Sequence, residues 1–447
     1  MVRDRGIGAR LALVMAIFGA PLEANHVAAQ QTVDSRNAQL PDGANTRDPV
    51  RPFYLDLTGL DFRTAPPTHD PANPSYPDAV TLPDRTLPTK AQTGNFVIGP
   101  SHPASPETIE RPGVPRGHVL QFTVSSSGGT IFTPGMVRAE NAVDADLDAA
   151  RTVPGDPSNL ILTSSRPASW TRSVRVYLPA RLANRRSVPF MVVSDTDWAF
   201  DGGRLIITVL DNLIAERRLP PIAAILIDAG GQDAQGSERG RELDTLSGAY
   251  AEWIETEILP KVERRARITL TRDPSARATI GASSSGAAAF TMAWFRPDLY
   301  RRVIAFSPTF TNQQWPHNPA LPGGAWQYHS VWPGPGQRNL APRGFDQPVA
   351  ADTPPGVPLI PNAPRKPIRF WFNVGDRDMF YPHRIMPDGM HDWVLASERM
   401  ATALAAKRYH YQFLFTRNAG HVDRPTIAQT LPAALEWVWS GYPQPVR

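Results

Sequence analysis

Apolar positions along the chain fall into two periods. Eight short runs are nearly continuous in apolar or β-branched residues: "HVLQFTV", "SVRVYLP", "PFMVVSD", "AAILIDA", "RATIGAS", "RVIAFSP", "IRFWFNV" and "YHYQFLF". Runs of this length with few polar interruptions predict strands covered on both faces, as in a parallel sheet. Between them the period lengthens to that of a helix. "DTLSGAYAEWIETEILPKVERR" puts Leu246, Tyr250, Trp253, Ile254 and Ile258 on one stripe, with Thr245 as the expected cap. "TLPAALEWVWSGY" repeats the spacing at Leu431, Leu435, Val438 and Trp439, with Pro432 expected in a first helical turn. Strands that alternate with helices predict an α/β protein with a mostly parallel, eight-stranded sheet flanked by helices and right-handed crossovers.

Two stretches interrupt this rhythm, Arg138 to Ser169 and a Pro/Gly-rich loop from Gln313 to Lys366. The second follows the sixth strand, where a loop can roof a cleft. Its Trp315, Trp326 and Trp332 either line an aromatic or sugar site or pack the loop onto the body. Ahead of the first strand, Gln30 to Arg116 carries 15 prolines in 87 residues. Proline at that density cannot propagate helix or central strand, which predicts an extended arm over residues 30–117 and a main domain over 118–447. The first residues order three arginines, an apolar run from Leu11 to Leu22, and Val27-Ala28-Ala29 before Gln30. That order reads as a secretory signal peptide over residues 1–29, its apolar run too short to span a bilayer. Periplasmic or secreted localisation in a bacterium follows as the expectation, with no stable membrane anchor.

Composition narrows the chemistry. The chain has no cysteine, which excludes disulfides, thiolate metal sites and a cysteine nucleophile. Its net charge of +4 comes from basic residues of which only Lys90, Lys261, Lys366 and Lys407 are lysines. The arginines are scattered along the chain and are not interleaved with aromatics, so no nucleic-acid partner is expected. Histidines without ligand-like spacing suggest neither a catalytic zinc nor another cofactor. The pattern assigns no oligomeric state.

The stretch "ATIGASSSGAAAF" sets three serines between a strand end and an alanine-rich helix start. This is the context of a nucleophile elbow, in which the residues two before and two after the nucleophile approach so closely that both must be small. Two frames satisfy that rule: Ser283 between Gly281 and Ser285, or Ser284 between Ala282 and Gly286. A nucleophilic serine needs a base. His421 follows the eighth strand on a loop that leads to the last helix, whereas His391 precedes a helix and His410 lies inside a strand. The base in turn needs a carboxylate to fix its tautomer, and "FNVGDRDMF" after the seventh strand offers Asp376 and Asp378. Asp388 and Asp392 farther on are expected to cap the helix beginning near Trp393. Backbone N–H groups for an oxyanion would come from the residue after the nucleophile and from the "SDTDW" loop after the third strand, at Asp195 or Thr196.

The elbow resembles the Gly-x-Ser-x-Gly-Gly pattern of the enterochelin-esterase-like (esterase D-type) branch of the α/β-hydrolases, with Ser285 in place of the first trailing glycine. "PFMVVSDTDWAF" is similar to that family's strand ending in Gln-Asp-Gly, with Thr196 at the glycine. "TVLDNLIAERRLPP", "RELDTLSGAYAEWIETEILPKV", "GMHDWVLASERM" and "NAGHVD" extend the resemblance over residues 96–442. It implies an α/β-hydrolase catalytic domain over 118–447 with catalytic Ser283, Asp378 and His421, and with Ser284 as an oxyanion donor. The implied activity is hydrolysis of a carboxylic ester, in a small molecule or linked to a glycan. Siderophore, feruloyl and acetyl-sugar esters are all within the family's range. An acyltransferase with the same triad, or a catalytically silent binding protein on the same fold, are the alternatives.

Overall fold

The computed structural model describes residues 78–138, 165–180, 182, 185–231, 237–313, 320–321, 323–331, 356–379 and 392–443. Its strands are β1 (Val80–Thr81), β2 (Gly94–Ile98), β3 (His118–Ser125), β4 (Gly135–Arg138), β5 (Ser165–Ala168), β6 (Thr171–Leu178), β7 (Phe190–Ser194), β8 (Ala223–Ile227), β9 (Arg277–Ala282), β10 (Arg302–Phe306), β11 (Arg369–Arg377) and β12 (His410–Gly420). The α-helical segments are α1 (Thr196–Ala199), α2 (Arg204–Ala215), α3 (Glu238–Leu243), α4 (Ala249–Trp253), α5 (Leu259–Ala266), α6 (Ser284–Phe295), α7 (Leu359–Asn362), α8 (Trp393–Ala406) and α9 (Arg424–Trp439).

All strands but β4 and β5 join one sheet in the order β1-β2-β12-β11-β10-β9-β7-β8-β6-β3. Among the described strands of this sheet only β6 runs against the others, pairing antiparallel with both β3 and β8. The eight predicted strands are all present, and their order, with β8 inserted between β6 and β7, is that of the α/β-hydrolase fold. Every residue of β7, β8, β9 and β10 is buried. Alternate side chains feed two cores: Phe190 and Val192 point to the face covered by α4, α5, α6 and α8, while Met191 and Val193 point to the face covered by α2 and α9.

Among the described residues the sheet has ten strands, two more than the sequence pattern predicts. The additions, β1 and β2, come from the proline-rich stretch, where a five-residue run, "GNFVI", pairs parallel with β12. Its apolar signal is short and flanked by Gly94 and Gly99-Pro100, so it does not stand out from the proline background. β4 and β5 form a separate antiparallel pair at the base of the first insertion.

Pro432 lies inside α9, not in its first turn, because Asp423 starts the helix earlier by accepting from Thr426 N–H at 2.8 Å. Proline leaves the carbonyl four residues back without its helical donor. That carbonyl, of Ala428, accepts from Ser105 N–H of the proline-rich segment at 3.0 Å. The other predicted helix begins at Ala249, after Gly248 rather than Thr245, and widens into a π-helical turn over Ile254–Ile258 just ahead of Pro260. The predicted stripe of Leu246, Tyr250, Trp253, Ile254 and Ile258 is buried throughout.

Residues 1–77, which include the predicted signal peptide and much of the predicted arm, lie outside the described residues, as do Trp315 and Trp332. Trp326 is buried, with the Arg399 guanidinium 5.0 Å from its ring centroid, and packs its loop onto the body. Among the described residues, no helix is long and apolar enough to cross a membrane.

Candidate active site

The elbow joins β9 to α6. Ser283 holds φ 57° and ψ −127°, a conformation costly for any residue with a Cβ and sustained by its surroundings. Its N–H donates to the Phe306 carbonyl at 2.9 Å, and its own carbonyl accepts from Thr309 N–H at 3.1 Å. A Cβ on Gly281 would collide with the Ser285 carbonyl, and one on Gly286 would press on Phe306 and Pro308. Glycine is therefore required at 281, facing the backbone of Ser285 and not its side chain, which is why a serine fits at position 285. The Ser285 hydroxyl folds back on the turn, accepting from Ala282 N–H and donating to Ala282 C=O, both at 2.8 Å.

The three serines thus differ in surroundings. Ser283 Oγ lies 2.9 Å from His421 Nε2 and 3.4 Å from Thr309 Oγ1. Ser284 Oγ accepts from Arg239 at 3.3 Å.

His421 stands just past β12, on a turn tied down from two sides. Val422 N–H donates to Ser307 Oγ at 3.0 Å. The Asp376 carboxylate takes the N–H groups of Asn418 and Ala419 at 2.9 and 3.1 Å, bracing the strand end before His421. Burial nevertheless pushes the Asp376 carboxyl up to about 7. A Cβ on Gly375 would strike the carbonyls of Ala419 and Gly420, so glycine there lets β11 pass close to this turn.

Two residues past Asp376 the chain brings Asp378, fully buried, to 2.5 Å from His421 Nδ1. Asp378 Oδ1 also accepts from Met379 N–H at 2.7 Å. Of the two acidic candidates, then, Asp378 meets the histidine and Asp376 supports the turn that carries it. Asp392 caps α8 by accepting from Leu395 N–H at 2.9 Å, as the sequence predicts. His410 opens β12 beside Arg369 and Trp437, away from the serines, while Asp388 and His391 lie outside the described residues.

The loop after β7 forms the facing wall. Asp195 N–H donates to the Ile227 carbonyl at 2.8 Å. It is engaged in the sheet and cannot serve an oxyanion, so Thr196 is left as this loop's candidate. The left-handed residue here is Asp195, at φ 57° and ψ 57°, so Thr196 needs none of the glycine freedom that the family pattern supplies at its position. The Thr196 side chain is pinned: its Oγ1 donates to Asp228 at 2.9 Å and accepts from Arg175 at 2.6 Å.

Sequence reasoning missed the aromatic enclosure of His421. Trp198 stacks on the His421 ring (centroids 6.4 Å, interplanar angle 20°), and Trp393 meets it edge-on at 5.7 Å. Trp198 ends the "SDTDW" loop singled out for Asp195 and Thr196, and Trp393 directly follows the predicted cap Asp392, which was the available signal.

A family model described as "Putative esterase" matches residues 165–437. No curated protein matches the sequence. Among solved structures the chain is similar to the enterobactin esterase FES of Shigella flexneri, at 18% identity and a TM-score of 0.39, over 60% of this chain and 55% of that one. It is similar to a ferulic acid esterase at 16% identity and a TM-score of 0.42, over 72% and 97% of the two chains. A feruloyl esterase module from Clostridium thermocellum gives 11% identity and a TM-score of 0.43, over 81% and 99%.

Proposed function

We propose, from the premise that this chain belongs to the esterase family matched over residues 165–437, that it is an exported serine esterase cleaving carboxylic esters through an acyl-enzyme intermediate. One observation carries the reading: the His421 imidazole lies within hydrogen-bond reach of Ser283 Oγ on one nitrogen, at 2.9 Å, and of the Asp378 carboxylate on the other, at 2.5 Å. A carboxylate at Nδ1 holds the proton there, which leaves Nε2 free to accept from the serine.

In the proposed cycle Ser283 Oγ attacks the ester carbon as its proton passes to His421 Nε2. Asp378 orients the ring and stabilises the imidazolium. The N–H groups of Ser284 and Thr196 hold the developing oxyanion. Collapse of the tetrahedral species breaks the bond to the alcohol oxygen, which takes the proton from His421. Water then repeats the sequence on the acyl-enzyme, releasing the acid and restoring Ser283. No metal or organic cofactor enters this cycle. Export rests on the order of charge, apolar run and small residues over positions 1–29.

The test is labelling of the mature protein with a fluorophosphonate probe and peptide mapping, beside Ser283→Ala and Ser284→Ala. Label on Ser283, lost only in its own variant, is the expected result, and an ester screen spanning aromatic-acid, siderophore and acetyl-sugar esters would follow. Label on Ser284 would shift the elbow by one residue. An unlabelled but folded protein would favour a binding protein on the hydrolase fold.

A further inference from the structure

One oxygen links the parts of this site. Asp195 Oδ2 accepts from Trp198 Nε1 at 3.0 Å and from Arg239 Nε and Nη2 at 2.9 and 2.7 Å. The third guanidinium nitrogen, Arg239 Nη1, donates to Ser284 Oγ at 3.3 Å. Asp195 and Arg239 are each only 7% exposed, so the pair is little screened by solvent. Asp195 immediately precedes Thr196, and Ser284 immediately follows Ser283. A single planar group from α3 therefore ties the side chain of the residue before one candidate oxyanion donor to the side chain of the other donor. Through Trp198, the same carboxylate also fixes the ring that stacks on His421.

We infer that Arg239 is a positioning residue, which sets the separation of the Thr196 and Ser284 N–H groups by bonding Asp195 on one side and Ser284 on the other. This inference rests on the proposed serine-esterase reading. The physical requirement is strict. Oxyanion donors act only if they sit at hydrogen-bond distance from where the charge will develop, and they act without rearranging as it does. The loop after β7 and the elbow lie on different strands, and the hydrogen bonds of β7 and β9 end before either donor. Arginine suits the task because its rigid fork spans two partners in fixed geometry, which a lysine ammonium cannot do. The step concerned is formation of the tetrahedral species, not binding of the ester, so the effect should fall on kcat.

The experiment measures kcat and KM for p-nitrophenyl acetate, and affinity for an alkyl trifluoromethyl ketone, which forms a tetrahedral oxyanion adduct with an active serine. Wild type, Arg239→Met, Arg239→Lys and Asp195→Asn are compared, with unfolding midpoints recorded for each. Expected for Arg239→Met is a kcat about 30–100-fold lower with KM within about threefold, and ketone affinity weakened by a similar factor. Arg239→Lys, which keeps the charge without the fork, should recover only part of that loss. If Arg239→Met does not fold, Asp195→Asn carries the same expectation, because it keeps the shape and removes the charge that holds the fork.

A folded variant whose kcat and ketone affinity stay within threefold of wild type would overturn the inference, leaving the pair a structural one. A wild-type protein that fluorophosphonate does not label would instead defeat the esterase reading beneath it.

Discussion

The elbow and the loop after β7 meet at one site but are held by different means. Close backbone approach does most of the shaping at the elbow: Gly281 passes against the Ser285 carbonyl and Ser283 N–H is fixed by Phe306, with the Ser285 hydroxyl closing on Ala282. Side-chain charge holds the opposite loop, with Asp195 tied to Arg239, and Thr196 tied to Asp228 and Arg175. Steric shaping tolerates almost no added volume but is insensitive to salt and pH. Charge-built geometry tolerates changes of volume and responds to anything that alters protonation.

The largest expected effect comes from adding one methyl group to the steric side. Gly281→Ala drives a Cβ into a backbone carbonyl that cannot yield. It should lower stability by about 3 kcal/mol and remove most labelling at Ser283, as read by chemical denaturation and probe stoichiometry. Next is the base. Asp378→Asn should lower kcat by about 10³–10⁴-fold through loss of the correct tautomer, while the equivalent change at Asp376 should act mainly on stability; paired kinetics and melting curves separate the two.

On the charged side, Asp228→Asn weakens the acceptor for Thr196 Oγ1 and Arg175. A loss of about 1 kcal/mol in stability and of about tenfold in kcat is expected, both checkable in one preparation.

A pH titration sharpens the contrast further. Glu238, at the start of the helix that carries Arg239, is pushed up to about 8 by burial and by Glu242 beside it, against the pull of Arg241 and Arg172. The folded protein keeps this proton up to about pH 8, whereas an unfolded chain releases it near the ordinary value of 4.5. Unfolding in that window releases a proton, so stability should fall as pH rises from about 5 to 8. Glu238→Gln should remove that slope, matching wild type near pH 5 and being the more stable of the two near pH 8.5 in denaturant titrations. The smallest effect is expected from Ser285→Gly, which restores the glycine of the family pattern and loses the Ala282 bonds: about 1 kcal/mol in stability, with kcat within threefold.

The same contrast explains what the sequence could reveal. The elbow was legible because its constraint is local: small residues at fixed offsets between a strand and a helix. His421 and the pair of acidic candidates were legible as positions that follow predicted strands, although choosing Asp378 over Asp376 drew on family resemblance, because both precede the same loop. Arg239, Asp228 and Arg175 were not legible. Each acts on a loop 21 to 45 residues away along the chain, and nothing in "RGREL" or "LIDAG" announces its partner. Even within the named loop, the engagement of Asp195 N–H depends on Ile227 of another strand. The short strand β2 was lost for a related reason, since its five residues become a strand only when β12 lies beside them.

That pairing of β2 with β12 has a consequence for how the molecule comes together. Gln92 accepts from Trp437 Nε1 across 345 positions of sequence, and His102 meets Gln429 across 327. Contacts so distant close slowly, because the loop entropy is lost before they form. During synthesis the segment carrying β2 emerges early and must wait, without its central partner, until β12 and α9 have been made. The central strands from β7 to β11 can find their neighbours in that interval, and the outer edge is then sealed last by joining an early part of the chain to a late one.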